Sequence, residues 1–293
     1  MAKLLITADW HIRSTVPSCI DMNNEQWMDF QKASVKRVGE IARENDVDEI
    51  DIGGDLFHSE VTASNECVYL LQDFIQDMDK KNIPVFILAG NHDLPQHSSS
   101  NIPKAAIGVL LNSKCVRNMG WATSYIKGCN FDNDDYGDAK YIFKHVLTIP
   151  SRDKPDFIEC ETPESLLKEY LNAEWIFTGD YHRNFEFHLE GRHVINSGCL
   201  MRQAADFEDY TPGVYIVDTE TEECKFVPIG IEQPFNHNGQ QKKELDETIQ
   251  NFVSSIKKEE VTLDYVNSLR NEAKHHPKEI QDKIEHWIME AGQ

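Results

Sequence analysis

The decisive stretch of this 293-residue chain reads Leu88-Ala89-Gly90-Asn91-His92-Asp93. It overlaps an apolar run, Val85 to Ala89, that has the character of a buried β-strand, and it then presents an amide, an imidazole and a carboxylate in a row. Polar side chains crowded at the carboxyl end of an apolar strand serve chemistry more often than packing. The stretch therefore predicts a functional site at a strand end, if other parts of the chain supply partners for it.

Composition limits the class of protein to which the chain can belong. Its 40% hydrophobic and 27% charged residues are ordinary for a globular protein, and its length allows one large domain with a small appendage. The sequence has no apolar run that approaches the roughly 20 residues needed to span a bilayer. The first residues begin a strand and lack the apolar core of a signal peptide. These features predict a cytoplasmic protein that does not associate with a membrane.

Cysteine usage and net charge each argue against a class of site. The seven cysteines are odd in number and widely spaced, which argues against a disulfide framework and against a cysteine zinc site. The formal net charge of −21 repels nucleic acid at long range. This objection to DNA binding weakens if the acidic residues hold divalent cations or if a partner supplies a basic surface.

Strand and helix patterns alternate in the first part of the chain. Short apolar runs predict strands at Leu4–Ala8, Glu49–Ile52 and Val85–Ala89, and apolar residues at helical spacing predict helices over Trp27–Ala42 and Val68–Met78. Strands that alternate with helices at this spacing are joined by right-handed crossovers. The pattern predicts a parallel sheet covered by helices.

The pattern changes after residue 115. Tyr141–Ile149 and Trp175–Thr178 are predicted strands, and Thr162 followed by Pro163 is typical of the start of a helix. Closely spaced strands then predict an antiparallel continuation of the sheet. These strands cover His193–Ile195, Val214–Val217 and Lys225–Val227.

A domain boundary is predicted where the composition turns polar, so that residues 1–235 form one domain and residues 236–293 a helical C-terminal region. Three apolar stripes at helical spacing mark this region. Three short helices cannot bury three such stripes by themselves. Either they form a small subdomain packed on the main one, or they provide a docking surface for a partner helix.

Polar side chains of compatible chemistry follow five of the predicted strands. They are Asp9 and His11, Asp55 and His58, Asn91 and His92, His145, and Asp180 and His182. Carboxylate, imidazole and amide groups without thiolates suit manganese, iron or zinc, and the large share of oxygen favours manganese. Because the carboxyl ends of parallel strands lie along one crevice, these distant segments can converge.

The ordered set of motifs resembles the calcineurin-like metallophosphoesterases. The chain contains, in order, Asp9-x-His11, Gly54-Asp55-x-x-His58, Gly90-Asn91-His92-Asp93, a strand histidine, and Gly179-Asp180-x-His182. Within that superfamily, Gly53-Gly54-Asp55-Leu56-Phe57-His58-Ser59 is similar to the DNA double-strand-break repair nucleases of the SbcD type, which pair with SMC-like coiled-coil ATPases. Asn196–Arg202 and Gly213–Asp218 are similar to the glycine–arginine turn and following strand of those nucleases. The compact chain is more similar to phage-encoded members than to cellular ones.

The resemblance implies a fold and an activity. The fold is an α/β (α+β) four-layer sandwich of mixed β-sheets flanked by helices, over about residues 3–230. The activity is metal-dependent exonuclease and endonuclease cleavage of DNA with two divalent ions, in repair, recombination or replication. The implied partners are DNA, an SMC-like ATPase subunit of the SbcC type and, as a further option, a second copy of the chain. The implied location is the bacterial or phage-infected host cytoplasm.

The resemblance also implies which residues hold the metals. The ligands are Asp9, His11 and His182 for the first ion, Asn91, His145 and Asp180 for the second, and Asp55 as a bridge between the two. Position 180 departs from the family pattern, in which a histidine is more usual. Asp180 can still ligate, and its negative charge favours a hard ion such as manganese over zinc.

Other residues are candidates for contact with the substrate. His92 resembles the catalytic histidine of the family, which stabilises the transition state or protonates the leaving alkoxide, although it can also serve only to orient Asn91. His58 either contacts the substrate or supports Asp55. Arg13 and Arg202 are candidates for phosphate contacts because a guanidinium matches phosphate oxygens, and a structural role is the alternative for both.

Two other classes of function stay open. The same metal core can act on nucleotides, cyclic nucleotides or phosphoproteins. The chain can also be a non-catalytic interaction subunit whose site has decayed at Asp180.

Overall fold

The computed structural model describes residues 2–59, 63–113, 115–119, 125–155, 158–204 and 207–235. These residues belong to a unit that covers Met1–Asn236. The predicted helical region, 236–293, lies outside the described residues. The domain boundary and the three apolar helices therefore stay predictions.

Eleven labelled strands and four labelled α-helices make up the part of the chain that the structure describes. In chain order they are β1 (Lys3–Thr7), α1 (Asn24–Glu44), β2 (Glu49–Ile52), α2 (Asn65–Lys80), β3 (Val85–Ile87), α3 (Ala106–Leu111), β4 (Val116–Asn118), β5 (Lys127–Cys129), β6 (Tyr141–His145), α4 (Pro163–Glu169), β7 (Trp175–Gly179), β8 (Phe185–Leu189), β9 (Arg192–Asn196), β10 (Gly213–Asp218) and β11 (Glu223–Pro228). Short 3-10 helices cover Asn91–Asp93, Pro95–His97 and Ser99–Lys104.

The strands form two mixed sheets. The first has the order β11-β10-β1-β2-β3-β4, in which β1 to β4 are parallel and β10 and β11 are antiparallel to their neighbours. The second has the order β5-β6-β7-β9-β8, in which all neighbours are parallel except the edge strand β8. The predicted parallel arrangement of the first three strands is confirmed.

Alternating side chains of each strand point to opposite faces of its sheet, so the buried apolar residues form three clusters, one between the sheets and one on the outer face of each sheet. Leu5 of β1 packs with the helices α1 to α3, whereas its neighbours Leu4 and Ile6 face Phe143 and Phe177 of the second sheet. The outer face of the second sheet packs against α4 and the residues around it. The order helix, sheet, sheet, helix confirms the predicted four-layer sandwich.

Several local predictions can be compared with the structure. Thr162 caps α4 and accepts a hydrogen bond from the Ser165 amide, as predicted. The predicted antiparallel continuation is right for β10 and β11 but wrong for β9, which lies parallel to β7. The sequence interpretation missed β8, which pairs with β9 in a hairpin. The strand predicted over Tyr141–Ile149 ends at His145.

The structure also bears on the expectations for the cysteines and for membrane-spanning segments. All seven cysteines are free thiols. Among the described helices, none is both long and apolar enough to cross a membrane.

Candidate metal centre

The predicted site residues converge where the carboxyl ends of the two sheets face each other. The sequence motifs predict that they line the crevice of one parallel sheet, but β1, β2 and β3 belong to the first sheet and β6 and β7 to the second. Hydrogen bonds join the sheets at this point: the Asp180 amide donates to both carboxylate oxygens of Asp9, at 3.1 and 3.0 Å. His145 Nδ1 lies 2.7 Å from the Gly53 carbonyl oxygen. The crevice is therefore a junction between two sheets.

An unusual backbone conformation marks four of these positions. Asp9, His11, Asp55 and Asp180 have φ values of 53°, 45°, 50° and 81°. Left-handed backbone is uncommon outside glycine, and it clusters at functional sites, where the surrounding structure holds it in place. Here it turns the chain sharply just after a strand.

Glycine is required where two of these turns meet. A Cβ on Gly90 would lie 2.2 Å from Asp55 Oδ1 and 2.8 Å from His145 Nε2. Gly54 has a φ of +100°, and a Cβ on it would lie 2.6 Å from His145 Nδ1. The absence of these side chains lets β2, β3 and β6 bring their polar groups together.

The first group of candidate ligands consists of Asp9, His11 and His182, whose ligand atoms lie within 4.8 Å of one another. His11 Nε2 is 3.0 Å from His182 Nε2. Burial raises the pKa of Asp9 well above its ordinary value, and burial lowers the pKa of both histidines. The site therefore disfavours charged imidazoles and leaves neutral nitrogens available as ligands.

The second group is organised by His145, whose ligand atom lies within 4.8 Å of those of Asp9 and Asp55. When Nδ1 of His145 donates to the Gly53 carbonyl, Nε2 faces Asn91 Oδ1 at 3.0 Å and Asp55 Oδ1 at 3.4 Å. Burial lowers the pKa of His145, but the carboxylates of Asp55, Asp9 and Asp180 together outweigh it and raise that pKa to about 10. The facing oxygens thus require a cation at Nε2, either a proton or a metal ion.

Asp55 extends between the two groups. Its Oδ2 is 3.6 Å from His11 Nε2, whereas its Oδ1 is 3.4 Å from His145 Nε2. Burial opposes ionisation, but His145, His11 and His92 together outweigh it and lower the pKa of Asp55 below its ordinary value. Oδ2 is buried and has no hydrogen-bond partner. A buried carboxylate oxygen without a partner lowers the stability of the fold. A divalent ion bound by the carboxylate oxygens and imidazole nitrogens of the cluster would give Oδ2 a partner.

Asp180 is half-buried beside both groups. Its amide holds Asp9, and its carboxylate contributes to the shifted pKa values of Asp9, His145 and His182. Its carboxylate belongs to neither of the two groups of ligand atoms that lie within 4.8 Å of one another among the described residues, so ligation of the second ion by Asp180 stays a prediction.

His92 is exposed at the edge of the cluster, and its ring centroid is 5.0 Å from that of His11. Its amide donates to Asp55 Oδ1 at 2.9 Å, and its Nδ1 lies 3.0 Å from the His58 carbonyl oxygen. This contact fixes the ring and places Nε2 on the opposite edge. A ring held in this way can give a proton to a group bound beside the metals.

The structure separates the two candidate phosphate-binding arginines. The Arg13 guanidinium donates to His58 Nε2 at 2.8 Å, so both residues lie beside His92. The Arg202 guanidinium instead donates to the carbonyl oxygens of Glu208 and Gln233, at 2.7 and 3.1 Å. The structure therefore brings Arg13 to the cluster and places Arg202 in a different set of contacts. A phosphate contact stays a prediction for both.

Sequence interpretation missed the role of Asp93. This buried carboxylate accepts hydrogen bonds from the amides of Gly90, Leu56 and Phe57 at 3.1 to 3.2 Å, and so fastens the second motif to the third. Burial and then the charge of Asp55 raise the pKa of Asp93 to about 7. The sequence signal that could have indicated a buried carboxylate was the apolar Leu94 directly after Asp93.

Other positions near the cluster carried no motif. The Gln203 side chain donates to the carbonyl oxygens of Trp10 and His11, at 3.2 and 3.1 Å, and holds the turn after β1. The rings of Phe131 and Phe207 lie 6.3 Å from His145 and 5.9 Å from His182, respectively. Tertiary contacts, not local patterns, bring these three residues to the site.

A family model described as calcineurin-like phosphoesterase matches residues 2–190, which is more than half of the chain. The chain belongs to this family. Its members hydrolyse phosphoester bonds with divalent metals, and the Asp and His cluster of this chain can hold such ions. The chain is thus a metallophosphoesterase whose candidate metal centre lies at the junction of the two sheets.

Individual relatives are more distant. The chain is 30% identical over 112 residues to the DNA double-strand break repair protein Mre11 of Thermoplasma acidophilum. The matched stretch covers 38% of this chain and 28% of that protein. The structure of this chain resembles a novel archaeal phosphodiesterase (15% identity, TM-score 0.42), over 77% of this chain and 99% of the other. It also resembles a hypothetical protein of Pyrococcus horikoshii OT3 (13% identity, TM-score 0.41), over 84% and 94% of the two chains.

Proposed function

We propose that this chain is a metal-dependent DNA nuclease that hydrolyses phosphodiester bonds with two divalent ions, most suitably Mn²⁺. The observation that carries the proposal is the position of Asp55, whose two oxygens approach histidines of different ligand groups. A carboxylate placed in this way suits a bridge between two ions. We assign the cleavage as exonucleolytic, with endonuclease activity on single strands, in repair, recombination or replication.

The proposed ligands divide between the two ions. They are Asp9, His11 and His182 for the first, Asn91, His145 and Asp180 for the second, and Asp55 for both. When bound, such ions supply an activated water and neutralise the non-bridging oxygens of the phosphate. Mn²⁺ is favoured because most of the proposed ligands are carboxylate or amide oxygens and none is a soft thiolate.

His92 is the proposed catalytic residue. Its Nδ1 is engaged by the His58 carbonyl oxygen, so the proton that it can transfer is on Nε2. As an imidazolium it would donate this proton to the departing oxygen of the substrate. Arg13 holds His58 from the other side and lies near enough to serve as a phosphate contact.

Two features support a nucleic-acid substrate. Phe131 is 39% exposed beside His145, and Phe207 is half-buried beside His182, so an aromatic ring borders each end of the cluster. Aromatic rings that stack on bases are typical of proteins that bind single strands. The similar Mre11 protein is named for DNA double-strand break repair.

The net charge of −21 requires compensation in this proposal. Bound divalent ions supply a part of it, and we propose that an SMC-like ATPase subunit of the SbcC type supplies the rest. Residues 236–293 are the proposed docking region because three apolar stripes mark their sequence. Dimerisation of the chain is a second option, and the bacterial or phage-infected host cytoplasm is the proposed location.

The docking proposal can be tested in the full chain. Phe252→Asp would place a charge in the first apolar stripe and should abolish co-purification with the ATPase, while hydrolysis of a small phosphodiester is retained. Glu247→Lys, which changes a charge outside the stripe, is the control. Unchanged ATPase binding by Phe252→Asp would remove the partner from the proposal.

The substrate is tested by comparing three reactions of the full chain with Mn²⁺: cleavage of linear duplex DNA, of single-stranded DNA and of bis(p-nitrophenyl) phosphate. Cleavage of DNA supports the nuclease. Hydrolysis of the small ester alone would replace it with a phosphoesterase of nucleotides or other small esters, which the strong negative charge favours. Fewer than two bound ions together with no hydrolysis would indicate a decayed interaction subunit.

A further inference from the structure

A second pair of facing imidazoles lies outside the candidate metal centre. His188 Nδ1 is 2.6 Å from His193 Nδ1, and the two rings are nearly perpendicular, at 83°. The comparable pair in the metal centre is His11 and His182, with nitrogens 3.0 Å apart. Two ring nitrogens this close leave room for at most one proton between them. Such a pair either shares that proton or ligates a common ion.

The β8–β9 hairpin fixes the backbone of this pair. His188 and His193 are directly opposite each other in the antiparallel register. The connecting residues Glu190 and Gly191 both have positive φ, 52° and 77°, as a two-residue turn of this kind requires. Opposed residues on a strand pair share a face, so the hairpin alone brings both imidazoles to one side of the sheet.

Trp175 fixes the ring of His193. The two rings are stacked in parallel, with centroids 3.8 Å apart and planes within 6°. Trp175 is buried in the layer between the sheets, so it gives His193 a rigid support. A ligand that is already held in one orientation loses little entropy when it binds an ion.

Two acidic side chains, Glu186 and Glu222, act on the pair, and their negative charge favours a cation bound there. Glu186 Oε2 is 3.6 Å from Nε2 of His188, which favours a proton on that nitrogen and leaves the Nδ1 lone pair directed at His193. A carboxylate behind a ligating histidine is the usual support in metal sites. Burial and His188 lower the pKa of His193, while the charges of Glu222 and Glu186 oppose them. Neutral imidazoles near carboxylates are what a divalent ion requires.

We propose that His188 and His193 form a separate binding site for a borderline divalent transition ion, of the zinc, nickel or copper class. Imidazole suits these ions, in contrast to the oxygen-rich centre that suits manganese. Bonds of about 2.0–2.1 Å to both nitrogens need a separation near 3 Å. The half-exposed ring of His188 can rotate to provide it.

The site is remote from the candidate metal centre. Trp175, which pairs with His193, begins β7, whereas Gly179 at the other end of the strand precedes Asp180. A bound ion would tie the edge strand β8 to β9. Because it binds the folded hairpin and not the unfolded chain, it would stabilise the fold by mass action. The inference is independent of the proposed nuclease function.

Ni²⁺ is the probe for the test, applied to the full chain in equilibrium dialysis at neutral pH. The variant is His188→Gln, and Leu189→Ala, an exposed neighbour on the same strand, is the control. We expect His188→Gln to bind one Ni²⁺ fewer than the wild type and the control. Ni²⁺ that binds at the candidate metal centre adds equally to the count for the wild type, the variant and the control. It therefore does not affect the difference between their Ni²⁺ counts.

A second measurement identifies the ligands directly. In histidine-labelled protein, Ni²⁺ should broaden the ring signals of His188 and His193 in the wild type, and the signal of His193 should stay sharp in His188→Gln. The melting temperature should rise with Ni²⁺ by a larger amount in the wild type than in the variant. Equal Ni²⁺ counts, with no broadening of either ring, would overturn the proposal and leave a proton-sharing pair.

Discussion

The two ligand groups of the candidate metal centre differ in how completely the protein organises them. In the first group, Asp9 and His11 are buried, His182 is half-buried, and two hydrogen bonds from one amide hold Asp9. In the second group, His145 is buried, but Asn91 and Asp180 are only half-buried. The first group is therefore preorganised by the fold, whereas the second depends more on the ion that it binds.

Asp55 connects the two groups, so its substitution should have the largest effect. Asp55→Asn removes the charge that faces both His11 and His145. Because the loss of a shared ligand removes several kcal/mol of transition-state stabilisation, we expect hydrolysis of a small phosphodiester to fall about 10⁴-fold. Metal counting by mass spectrometry should show fewer than two ions. Two tightly bound ions and a rate near that of the wild type would contradict the bridging role.

His92 belongs to neither group, so its substitution separates catalysis from metal binding. His92→Gln should lower the rate about 10²–10³-fold because the proton donor is lost, while both ions stay bound. The hydrogen bond from the backbone amide to Asp55 is retained in this variant. If His92 only orients Asn91, the variant should instead lose affinity for one ion, and a higher Mn²⁺ concentration should restore the rate.

Asp180 tests the second group alone. Loss of a residue that only supports a metal ligand costs about 10–100-fold in affinity, so Asp180→Ala, which removes a proposed ligand, should weaken binding of the second ion by about 100-fold or more. The first ion should stay in place, since the amide that holds Asp9 belongs to the backbone. Asp180→His, which restores the usual family residue, should bind the second ion and shift its preference from Mn²⁺ toward Zn²⁺. Calorimetric titration with each metal measures both changes. Identical two-ion binding by the alanine variant would exclude Asp180 as a ligand.

The proton on His145 gives the second group a pH dependence. In the metal-free protein this pKa is raised from 6.5 to about 10, because the carboxylates of Asp55, Asp9 and Asp180 together outweigh burial. An ion must displace that proton from Nε2, so affinity should increase with pH by about tenfold per unit and level off only above pH 10. Titrations in buffers of different ionisation enthalpy count the released proton. An affinity that does not change between neutral and alkaline pH would contradict ligation by His145.

Sequence patterns predicted the residues of the centre better than their arrangement. The strands before Asp9, Asp55 and Asn91 end in recognisable motifs, so local patterns were enough to find them. The division into two sheets depends on which strands pair, and local patterns contain no information on pairing. The parallel pairing of β9 with β7 was missed for this reason.

Backbone conformation was equally hidden. The left-handed turn at Asp9 is held by contacts that come from far along the chain, since the Asp9 amide donates to Gly54 and the Asp9 carbonyl accepts from Leu200. Propensity alone favours glycine there, and an aspartate adopts this conformation only occasionally, so its presence did not predict the turn. The role of Asp93 was hidden in the same way, because its three donors lie on two different turns.

The smallest expected effect concerns Phe131, which borders the second group through His145. If its exposed ring stacks on a base, Phe131→Ala should lower kcat/KM for single-stranded DNA about fivefold, the low end of the energy of such contacts. Phe131→Tyr keeps the ring and should match the wild type. Hydrolysis of bis(p-nitrophenyl) phosphate, which has no base, should be the same in all three proteins. An equal loss on both substrates would mean that Phe131 only packs against His145, and the second group would then rely on it for order.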